Sequence, residues 1–336
     1  MGVEYRGVES RAILLLLALS LFSAACGLDS PTTTVAPKSD LGRQIHDLFM
    51  NISGWALFIF LVVEALLVAV VFVFRDRPGR GEPRPVHGHL GLEIAWTLVP
   101  VVIVVSIAIP TIATIFKTDA SPPRDALTIE VTGHQWWWEF RYPGLGIVTA
   151  NELHVPVGRP ISLDLKTADV IHSFWIPRLG GKRDLVGGKV NNLTFTVDAP
   201  GEYPGQCAEF CGLSHANMRL LVVAQSTADF DAWSKRLATA PTPPSGEAAK
   251  GGEAFLAGGC AACHTIRGIA AGVVGPELTH VASRRTLAAG ILKNTPEDLA
   301  RWLRNPPAIK PGALMPKLPL TDEQVSALTH YLGSLK

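Results

Sequence analysis

The segment 207–218 concentrates side chains that bind soft metals. It holds two cysteines, a histidine and a methionine within twelve residues: Cys207, Cys211, His215 and Met218. Thiolate, imidazole and thioether groups suit copper above all. A blue-copper site needs one cysteine, whereas two cysteines and a second histidine can bridge two copper ions, and His172 is the candidate for that histidine. Bridging thiolates spread one electron over both metals, so the pattern favours electron transfer over substrate chemistry.

A disulfide between Cys207 and Cys211 is the alternative interpretation of this pair, since an exported domain meets an oxidising compartment. His215 and Met218 stand at ligand spacing from the cysteines and favour a metal instead. The chain has only four methionines, and Met218 and Met315 each belong to a candidate cofactor motif.

A second motif, Cys260-Ala-Ala-Cys263-His264, has the Cys-x-x-Cys-His spacing of haem c attachment. In that chemistry each cysteine forms a thioether with a haem vinyl group, and the histidine becomes an axial iron ligand. A chance match and a disulfide are the alternatives. The exported, small helical context and a methionine farther along the chain disfavour both.

Two apolar runs predict the elements that anchor these motifs. Residues 52–74 carry one charge, Glu64, and residues 94–116 carry none. At about 1.5 Å per residue, each helix reaches roughly 35 Å, enough to span a bilayer. The short loop between them is rich in arginine and is expected in the cytoplasm. The chain from about Lys117 onward is then expected on the extracytoplasmic side of a bacterial plasma membrane.

The first 25 residues have the composition of an export signal. Arg6 and Arg11 precede the apolar run Ala12–Ala25, which is too short to span a bilayer comfortably. The run ends in Ser-Ala-Ala before Cys26, which resembles a bacterial lipoprotein processing site and would make Cys26 the lipidated residue. Cleavage at a nearby position and an uncleaved anchor remain the alternatives.

The segment from 120 to 238 has the residue pattern of a β-domain, and a predicted helix over 228–238 ends it. Five stretches alternate or are rich in Val, Ile and Thr, with Gly, Pro and Asn between them. These predicted strands are 126–132, 153–157, 161–165, 193–197 and 219–223. Several short strands at this spacing indicate a sandwich or a small barrel.

A linker and a small helical domain complete the chain. Residues 239–246 are rich in Pro and Thr and form the predicted linker. In the domain over 247–336, Thr295-Pro296 predicts a helix start. Thr321 with Gln324 predicts a capping box that opens the last helix.

The composition excludes some classes of function. The chain has 336 residues, with 30 Lys+Arg against 29 Asp+Glu and a formal charge of +1. That balance argues against a nucleic-acid binder, which usually has a basic excess. Hydrophobic residues make up 48% of the chain, which argues against extended disorder.

From about residue 40 to 238, the chain resembles subunit II of the haem–copper cytochrome c oxidases. The motifs that carry the resemblance are Leu92-Glu-Ile-Ala-Trp-Thr97, Gly133-His-Gln-Trp-Trp-Trp138, His172-Ser-Phe-Trp175, Lys182-Arg-Asp184 and the 207–218 loop. The resemblance implies a transmembrane hairpin that carries a cupredoxin-like domain with binuclear copper A. The implied ligands are His172, Cys207, Cys211, His215, Met218 and the backbone carbonyl of Glu209.

The same resemblance implies roles for three further side chains. The Glu209 carboxylate would bind a magnesium ion at the contact with subunit I. Trp136 matches the family's surface tryptophan through which electrons enter, with a core or membrane-interface aromatic as the alternative. Glu93 matches a carboxylate at the mouth of a proton-uptake path, with an interfacial helix-end carboxylate as the alternative.

From about Lys250 onward, the chain is similar to class I c-type cytochromes. Gly275-Pro276 resembles the segment that supports the haem-ligating histidine, and Met315 lies in a loop like the one that supplies the second axial ligand. His280 and His330 are the competitors for that position. His330 is expected at the surface. His280 is too close to Pro276 in the sequence to reach the face of the haem opposite His264.

The resemblances together imply a multidomain membrane protein of the caa type. Its parts would be a two-helix transmembrane hairpin over 40–117, an all-β cupredoxin-like domain, and a small all-α class I cytochrome c domain. Electrons would pass from a c-type cytochrome or an upstream complex to haem c, copper A and then subunit I, with subunit III as a further partner. A free-standing electron carrier is one alternative. A quinol oxidase subunit II is another, and it is expected to lack both cysteine pairs.

Overall fold

The structure is a computed structural model that describes residues 29–75, 78–79, 81, 85 and 87–336. The predicted export signal over 1–25 and the proposed lipidation at Cys26 lie outside the described residues. Three of the four arginines in the loop between the two apolar runs, Arg77, Arg80 and Arg84, lie outside them as well.

Two long helices, α1 (Asp40–Phe74) and α2 (Leu90–Thr118), contain the apolar runs. Both are long and apolar enough to cross a membrane, judged by length and composition. The predicted starts at 52 and 94 were wrong, because each helix begins earlier at a capping side chain. Ser39 accepts a hydrogen bond from Gly42 N–H at 2.9 Å, and His89 Nδ1 accepts one from Leu92 N–H at 3.2 Å. Such caps satisfy first-turn N–H groups outside the apolar run.

The first turn of α1 is bonded to the β-domain. The Asp40 carboxylate accepts a hydrogen bond from Thr196 N–H at 2.7 Å. Leu41 is buried against Gly180, where an added Cβ would lie 2.7 Å from the leucine side chain. The start of the helical hairpin therefore has a fixed position relative to the β-domain.

The β-domain is a sandwich of two five-stranded sheets. The strands are β1 (Leu127–His134), β2 (Trp137–Tyr142), β3 (Ile147–Ala150), β4 (Glu152–Pro156), β5 (Pro160–Thr167), β6 (His172–Trp175), β7 (Arg183–Leu185), β8 (Asn191–Thr196), β9 (Gly201–Cys207) and β10 (Arg219–Gln225). One sheet has the order β3-β2-β1-β5-β8 and the other β4-β10-β9-β6-β7. The pairs β1–β5 and β4–β10 are parallel, and the other pairs within these two sheets are antiparallel.

Sequence patterning predicted five of these ten strands, within two residues at each end, and missed β2, β3, β6, β7 and β9. Strand β1 alternates as expected, with Ile129 and Val131 fully buried. Strand β9 contains Pro204 and Gly205, which usually argue against a strand. Strands β6 and β7 have only four and three residues, too few for a period to be recognised. The missed strands matter because β6 and β9 position the candidate metal ligands.

Helix α3 (Thr227–Leu237) closes the sandwich, one residue earlier than predicted. Its buried residues are Phe230, Trp233 and Leu237. The Trp233 ring stacks on His154 of β4 with centroids 4.4 Å apart. The apolar face of this short helix therefore covers one end of the β-domain.

The C-terminal domain packs helices around a second core. Its helices are α4 (Glu247–Ala257), α5 (Pro296–Arg304), α6 (Pro306–Ile309) and α7 (Asp322–Ser334). The crossing of α4 and α7 requires glycine at 251, since an added Cβ would lie 2.0 Å from the Ala327 carbonyl oxygen. Both predicted helix starts are confirmed, including the Thr321–Gln324 capping box. Two short ladders, Thr265–Ile266 with Ala270–Ala271 and Thr286–Leu287 with Leu292–Lys293, were not predicted.

Candidate copper centre and haem cavity

Two neighbouring strands bring the sulfur and nitrogen donors together. Cys207 ends β9, and Phe174 of β6 pairs with it, so His172 at the start of β6 lies beside the cysteine. The loop after Cys207 carries Cys211 and a short 3-10 turn at His215–Asn217. Met218 follows that turn, and its carbonyl accepts the Cys207 N–H at 2.9 Å. This bond closes the loop and points its donors inward.

The donor atoms lie within contact distance of one another. The two cysteine Sγ atoms are 3.8 Å apart. Cys207 Sγ lies 3.9 Å from His172 Nδ1, and Cys211 Sγ lies 3.6 Å from His215 Nδ1. Met218 Sδ is 3.9 Å from Cys211 Sγ. Each thiol therefore has its own imidazole, and the thioether stands beside one of the thiols.

This geometry fits a metal cluster better than a disulfide. A disulfide needs an S–S distance of about 2.05 Å, and both cysteines are free and buried. The ligand atoms of His172, Cys207 and Cys211 all lie within 4.8 Å of one another, as a bound metal requires. Two thiols, two imidazoles and a thioether form a donor set suited to copper.

Local hydrogen bonds favour a thiolate at Cys207 and outweigh burial, which opposes the charged form. The hydrogen bond from the Cys211 thiol lowers the pKa of Cys207 to about 3, and the bond to His172 acts in the same direction. Burial alone would lower the pKa of His172, but its hydrogen bonds to Cys207 and Asp169 outweigh burial and raise that pKa. The thiolate is the metal-binding form of cysteine, so the environment prepares the site for a cation.

Asp169 is a functional residue that sequence reasoning missed. Its Oδ1 lies 2.8 Å from His172 Nε2, on the side of the ring away from Cys207. Its Oδ2 accepts a hydrogen bond from Gln135 N–H at 2.6 Å. A carboxylate in this position fixes the ring so that Nδ1 faces the thiols. The carboxylate three residues before the candidate histidine was the available clue in the sequence.

We expect Asp169→Asn to weaken copper binding by 10- to 100-fold, the usual cost of losing a partner of a metal-ligating histidine. The neutral amide stabilises the donating imidazole less than a carboxylate does. Competition with a copper chelator, followed by electron paramagnetic resonance, measures the change. Glu130→Gln is the matched control, because Glu130 forms a partly exposed ion pair with Lys166 on the other sheet. Equal retention of copper in the two variants would contradict the role of Asp169.

Trp136 is buried and is hydrogen-bonded to the loop that carries the candidate copper ligands. Its Nε1–H donates to the Cys211 carbonyl at 2.9 Å, and Gln135 Nε2 donates to the same oxygen at 2.6 Å. The expected surface position is wrong for this chain, since the side chain is only 7% exposed. The C-terminal domain covers the ring, and a Cβ added at Gly312 would lie 2.7 Å from it.

The two glutamates singled out in the sequence occupy different environments. The Glu209 carbonyl oxygen lies 3.2 Å from Cys207 Sγ, which places that oxygen beside the donor cluster. The Glu209 side chain is exposed. Glu93 lies in the first turn of α2, where its carboxylate accepts the His89 N–H at 3.2 Å. The structure thus places Glu93 at a helix end, far along the chain from the metal ligands.

A cavity of about 320 Å³ opens in the C-terminal domain. All four candidate haem-binding residues line it: Cys260, Cys263, His264 and Met315. The rest of the wall is mainly apolar and includes Leu299, Leu303 and Leu332. Gln135, Trp136 and Trp137 of the β-domain also line it, so the cavity reaches the domain boundary.

His264 is oriented for iron ligation. Its Nδ1 lies 2.7 Å from the Pro276 carbonyl oxygen, which makes Nδ1 the hydrogen-bond donor and leaves the Nε2 lone pair free. Burial lowers the pKa of His264 and favours the neutral ring that a metal needs. Gly275 packs against this ring, and an added Cβ would lie 2.6 Å from its Cε1.

The competing histidines do not line the cavity. His280 Nδ1 lies 2.8 Å from the Lys336 carbonyl and its Nε2 lies 3.0 Å from the Thr239 carbonyl, so both ring nitrogens have partners. His330 is exposed, with Nδ1 2.9 Å from the Ser326 carbonyl. Met315 packs against the core of the C-terminal domain and faces the cavity.

Family models match three consecutive parts of the chain. "Cytochrome C oxidase subunit II, transmembrane domain" matches residues 33–114, and "Cytochrome C oxidase subunit II, periplasmic domain" matches 145–225. "Cytochrome c" matches residues 248–336.

Relatives extend the similarity over nearly the whole chain. Cytochrome c oxidase subunit 2 of Alkalihalophilus pseudofirmus is 36% identical over 327 residues, which cover 95% of each chain. Quinol oxidase subunit 2 of Bacillus spizizenii is 33% identical over 69% of this chain and 74% of its own length. The crystal structure of the periplasmic domain of subunit II of cytochrome oxidase from Bradyrhizobium japonicum is 32% identical, with a TM-score of 0.34. That alignment covers 35% of this chain and 96% of the domain.

The fold and both sites define a membrane-anchored oxidase subunit with a cupredoxin-like domain followed by a cytochrome c domain. The chain belongs to the cytochrome c oxidase subunit II family. The predicted family and fold class are thereby confirmed. The domains imply copper A and haem c as cofactors, and other oxidase subunits as partners.

Proposed function

We propose that this chain takes electrons at a covalently bound haem c, passes them to binuclear copper A, and delivers them to subunit I. There, dioxygen would be reduced to water with proton translocation. The observation that supports this most strongly is the position of Trp136. It lines the haem cavity on one side and donates a hydrogen bond to the Cys211 carbonyl on the other.

The copper pair, when bound, supplies one-electron chemistry with little change of geometry, and the chain holds it in place. Cys207 and Cys211 would provide the two thiolate sulfurs, and His172 and His215 would provide one imidazole each. Weaker ligands complete the set: Met218 Sδ and the carbonyl oxygen of Glu209. Four of the donor residues are buried, His172, Cys207, Cys211 and Met218, so their ligand atoms are shielded from solvent.

The haem would be held by both faces of the cavity. Cys260 and Cys263 would form the thioether bonds, His264 would ligate the iron from one side, and Met315 from the other. The 2.7 Å contact from His264 Nδ1 to the Pro276 carbonyl keeps Nε2 directed away from that backbone. Trp136 would then provide a covered route from the cavity to the copper ligands.

Several finer assignments belong to the same proposal. Glu209 would bind a magnesium ion at the contact with subunit I, which agrees with its exposed carboxylate. Glu93 would stand at the cytoplasmic mouth of a proton-uptake path. The two helices would place the cofactor domains on the extracytoplasmic side of the plasma membrane. Subunit III and a c-type cytochrome or upstream complex as donor complete the assembly.

Cofactor analysis of the purified oxidase tests the proposal. After acidic organic extraction removes non-covalent haem, one haem c should remain attached to this chain. A mixed-valence copper spectrum should be present in addition to the signals of subunit I. Absence of covalent haem, or of the mixed-valence spectrum in copper-replete enzyme, would contradict the proposal.

Two other functions make different predictions. A free-standing electron carrier should purify without a large haem-bearing subunit, whereas an oxidase subunit should co-purify with one. A quinol oxidase subunit II should lack copper A and haem c. Both cysteine pairs stand in cofactor-binding surroundings here and favour the cytochrome c oxidase.

A further inference from the structure

The cytochrome domain is bonded directly to the copper domain in addition to the linker 239–246. Backbone and side-chain hydrogen bonds cross the boundary at several points. Arg219 N–H donates to the Ala289 carbonyl at 3.2 Å. Ser214 Oγ donates to the Pro311 carbonyl at 2.6 Å. These contacts hold the haem cavity against the copper-ligand loop.

Glu152 of the copper domain places a buried carboxyl group at this boundary. The residue is 1% exposed, and its Oε1 accepts two backbone N–H bonds from the cytochrome domain. Arg285 N–H donates at 2.5 Å and Thr286 N–H at 3.0 Å. A buried carboxylate without partners would be strongly unfavourable, so these bonds link its burial to docking.

Lys310 of the cytochrome domain makes the reciprocal contact. The residue is 4% exposed, and its Nζ donates to the Trp136 carbonyl at 2.5 Å and to the Ala288 carbonyl at 3.1 Å. The first acceptor belongs to the copper domain and to the residue that separates the two cofactor sites. Burial also lowers the pKa of Lys310 to about 7, and the neutral amine keeps donors for both carbonyls.

We propose that Glu152 and Lys310 form a reciprocal latch that keeps the cytochrome domain docked with its haem cavity on Trp136. Each domain contributes one buried ionisable side chain, and each of these side chains bonds to the partner domain's backbone. The latch makes Glu152 and Lys310 positioning residues for electron transfer. The linker alone would supply only a high local concentration of a mobile domain.

The latch has a functional consequence that rests on the proposed function. One electron leaves ferrous haem c, which becomes ferric, and the copper pair takes it up. A docked domain holds the two sites at one fixed separation with Trp136 between them. The latch also covers Trp136, so an external donor must deliver its electron to haem c.

Hydrogen exchange in the intact oxidase tests whether the two contacts open together. Lys310→Met removes the donor but keeps the length and apolar stem of the side chain. It should speed exchange at the amides of Arg285 and Thr286, which contact Glu152 instead of Lys310. We expect about a tenfold increase, equivalent to about 1.4 kcal/mol of docking free energy.

The reverse experiment uses Glu152→Leu and measures the Arg219 amide, which bonds across the boundary at another point. Exchange there should also rise about tenfold, and Glu152→Gln, which keeps an acceptor oxygen, should give a smaller rise. The matched control is Glu202→Gln. Glu202 pairs with Arg285 at the same boundary, but both side chains are about half exposed, so less than a twofold change is expected. The proposal would be overturned if both latch variants kept wild-type exchange rates. The amides that decide this are those of Arg285 and Thr286 in Lys310→Met and that of Arg219 in Glu152→Leu.

Electron transfer provides the second measurement. Transfer from haem c to copper should be slower in both latch variants than in Glu202→Gln, with both midpoint potentials unchanged. Equal rates in the three variants would overturn the positioning role. The cofactor spectra keep this test separate from the proposed function. Absence of haem c or copper A from the wild type would contradict the function, while hydrogen exchange would still report on the latch.

Discussion

Replacing Cys207 or Cys211 with serine is expected to abolish the mixed-valence copper spectrum and to leave haem c attached. Each sulfur has its own imidazole partner, and the two sulfurs lie 3.8 Å apart, so removing either one breaks the bridge between the metals. Loss of an outer-shell partner already costs 10- to 100-fold in metal affinity, and loss of a direct ligand should cost more. Copper content and electron paramagnetic resonance measure the outcome.

The reciprocal control for this prediction is Cys263→Ser, in the cytochrome domain. It should impair haem attachment and leave the copper spectrum intact, because the two sites use separate ligands on separate cores. Turnover with the natural donor should be lost in all three variants. Unaltered copper loading in either copper-loop variant would mean that the thiolates do not bridge a metal pair.

Most of the candidate cofactor ligands could be recognised in the sequence because they lie in two short motifs, whereas His172 and Met315 lie outside them. Four copper donors lie within residues 207–218, and the haem-attachment motif spans five residues. Local chemistry also fixed the start of α7, where Thr321 and Gln324 form both bonds of the capping box. Such features depend on neighbours in the chain, so a single sequence contains the information they need.

Features that depend on distant contacts were missed. Asp169 is defined by its contact with His172, and β6 acquires its role only when it pairs with β9. Glu152 and Lys310 present no motif, because their partners are backbone groups of the other domain. Any residue can supply such a backbone group, so the contact leaves no recognisable pattern of residue types in the sequence. The buried position of Trp136 follows from the same docking and could not be predicted from its matched motif.

The docked position of the cytochrome domain distinguishes this chain from two separate proteins, a mobile electron carrier and its acceptor. A mobile carrier must find its partner and leave it again, so its contact surface is usually small and wet. Here the boundary contains two buried ionisable side chains, Glu152 and Lys310, that bond to backbone. Such contacts suit a domain that stays in place. On the proposed function, an external donor would then exchange electrons at the haem side of the chain.

Met315→His is expected to keep the haem attached and to lower its midpoint potential by at least about 60 mV, a tenfold change for a one-electron couple. A thioether is a soft, neutral ligand that favours ferrous iron, whereas a second imidazole is a stronger donor that favours ferric iron. The lower potential would favour transfer from haem c to copper A, but the external donor would reduce haem c less readily. Turnover should therefore fall, and the copper spectrum should not change because Met218 is untouched. Redox titration of the haem c band measures the shift, with the exposed His330→Gln as control. A midpoint equal to that of the control would show that Met315 is not an iron ligand.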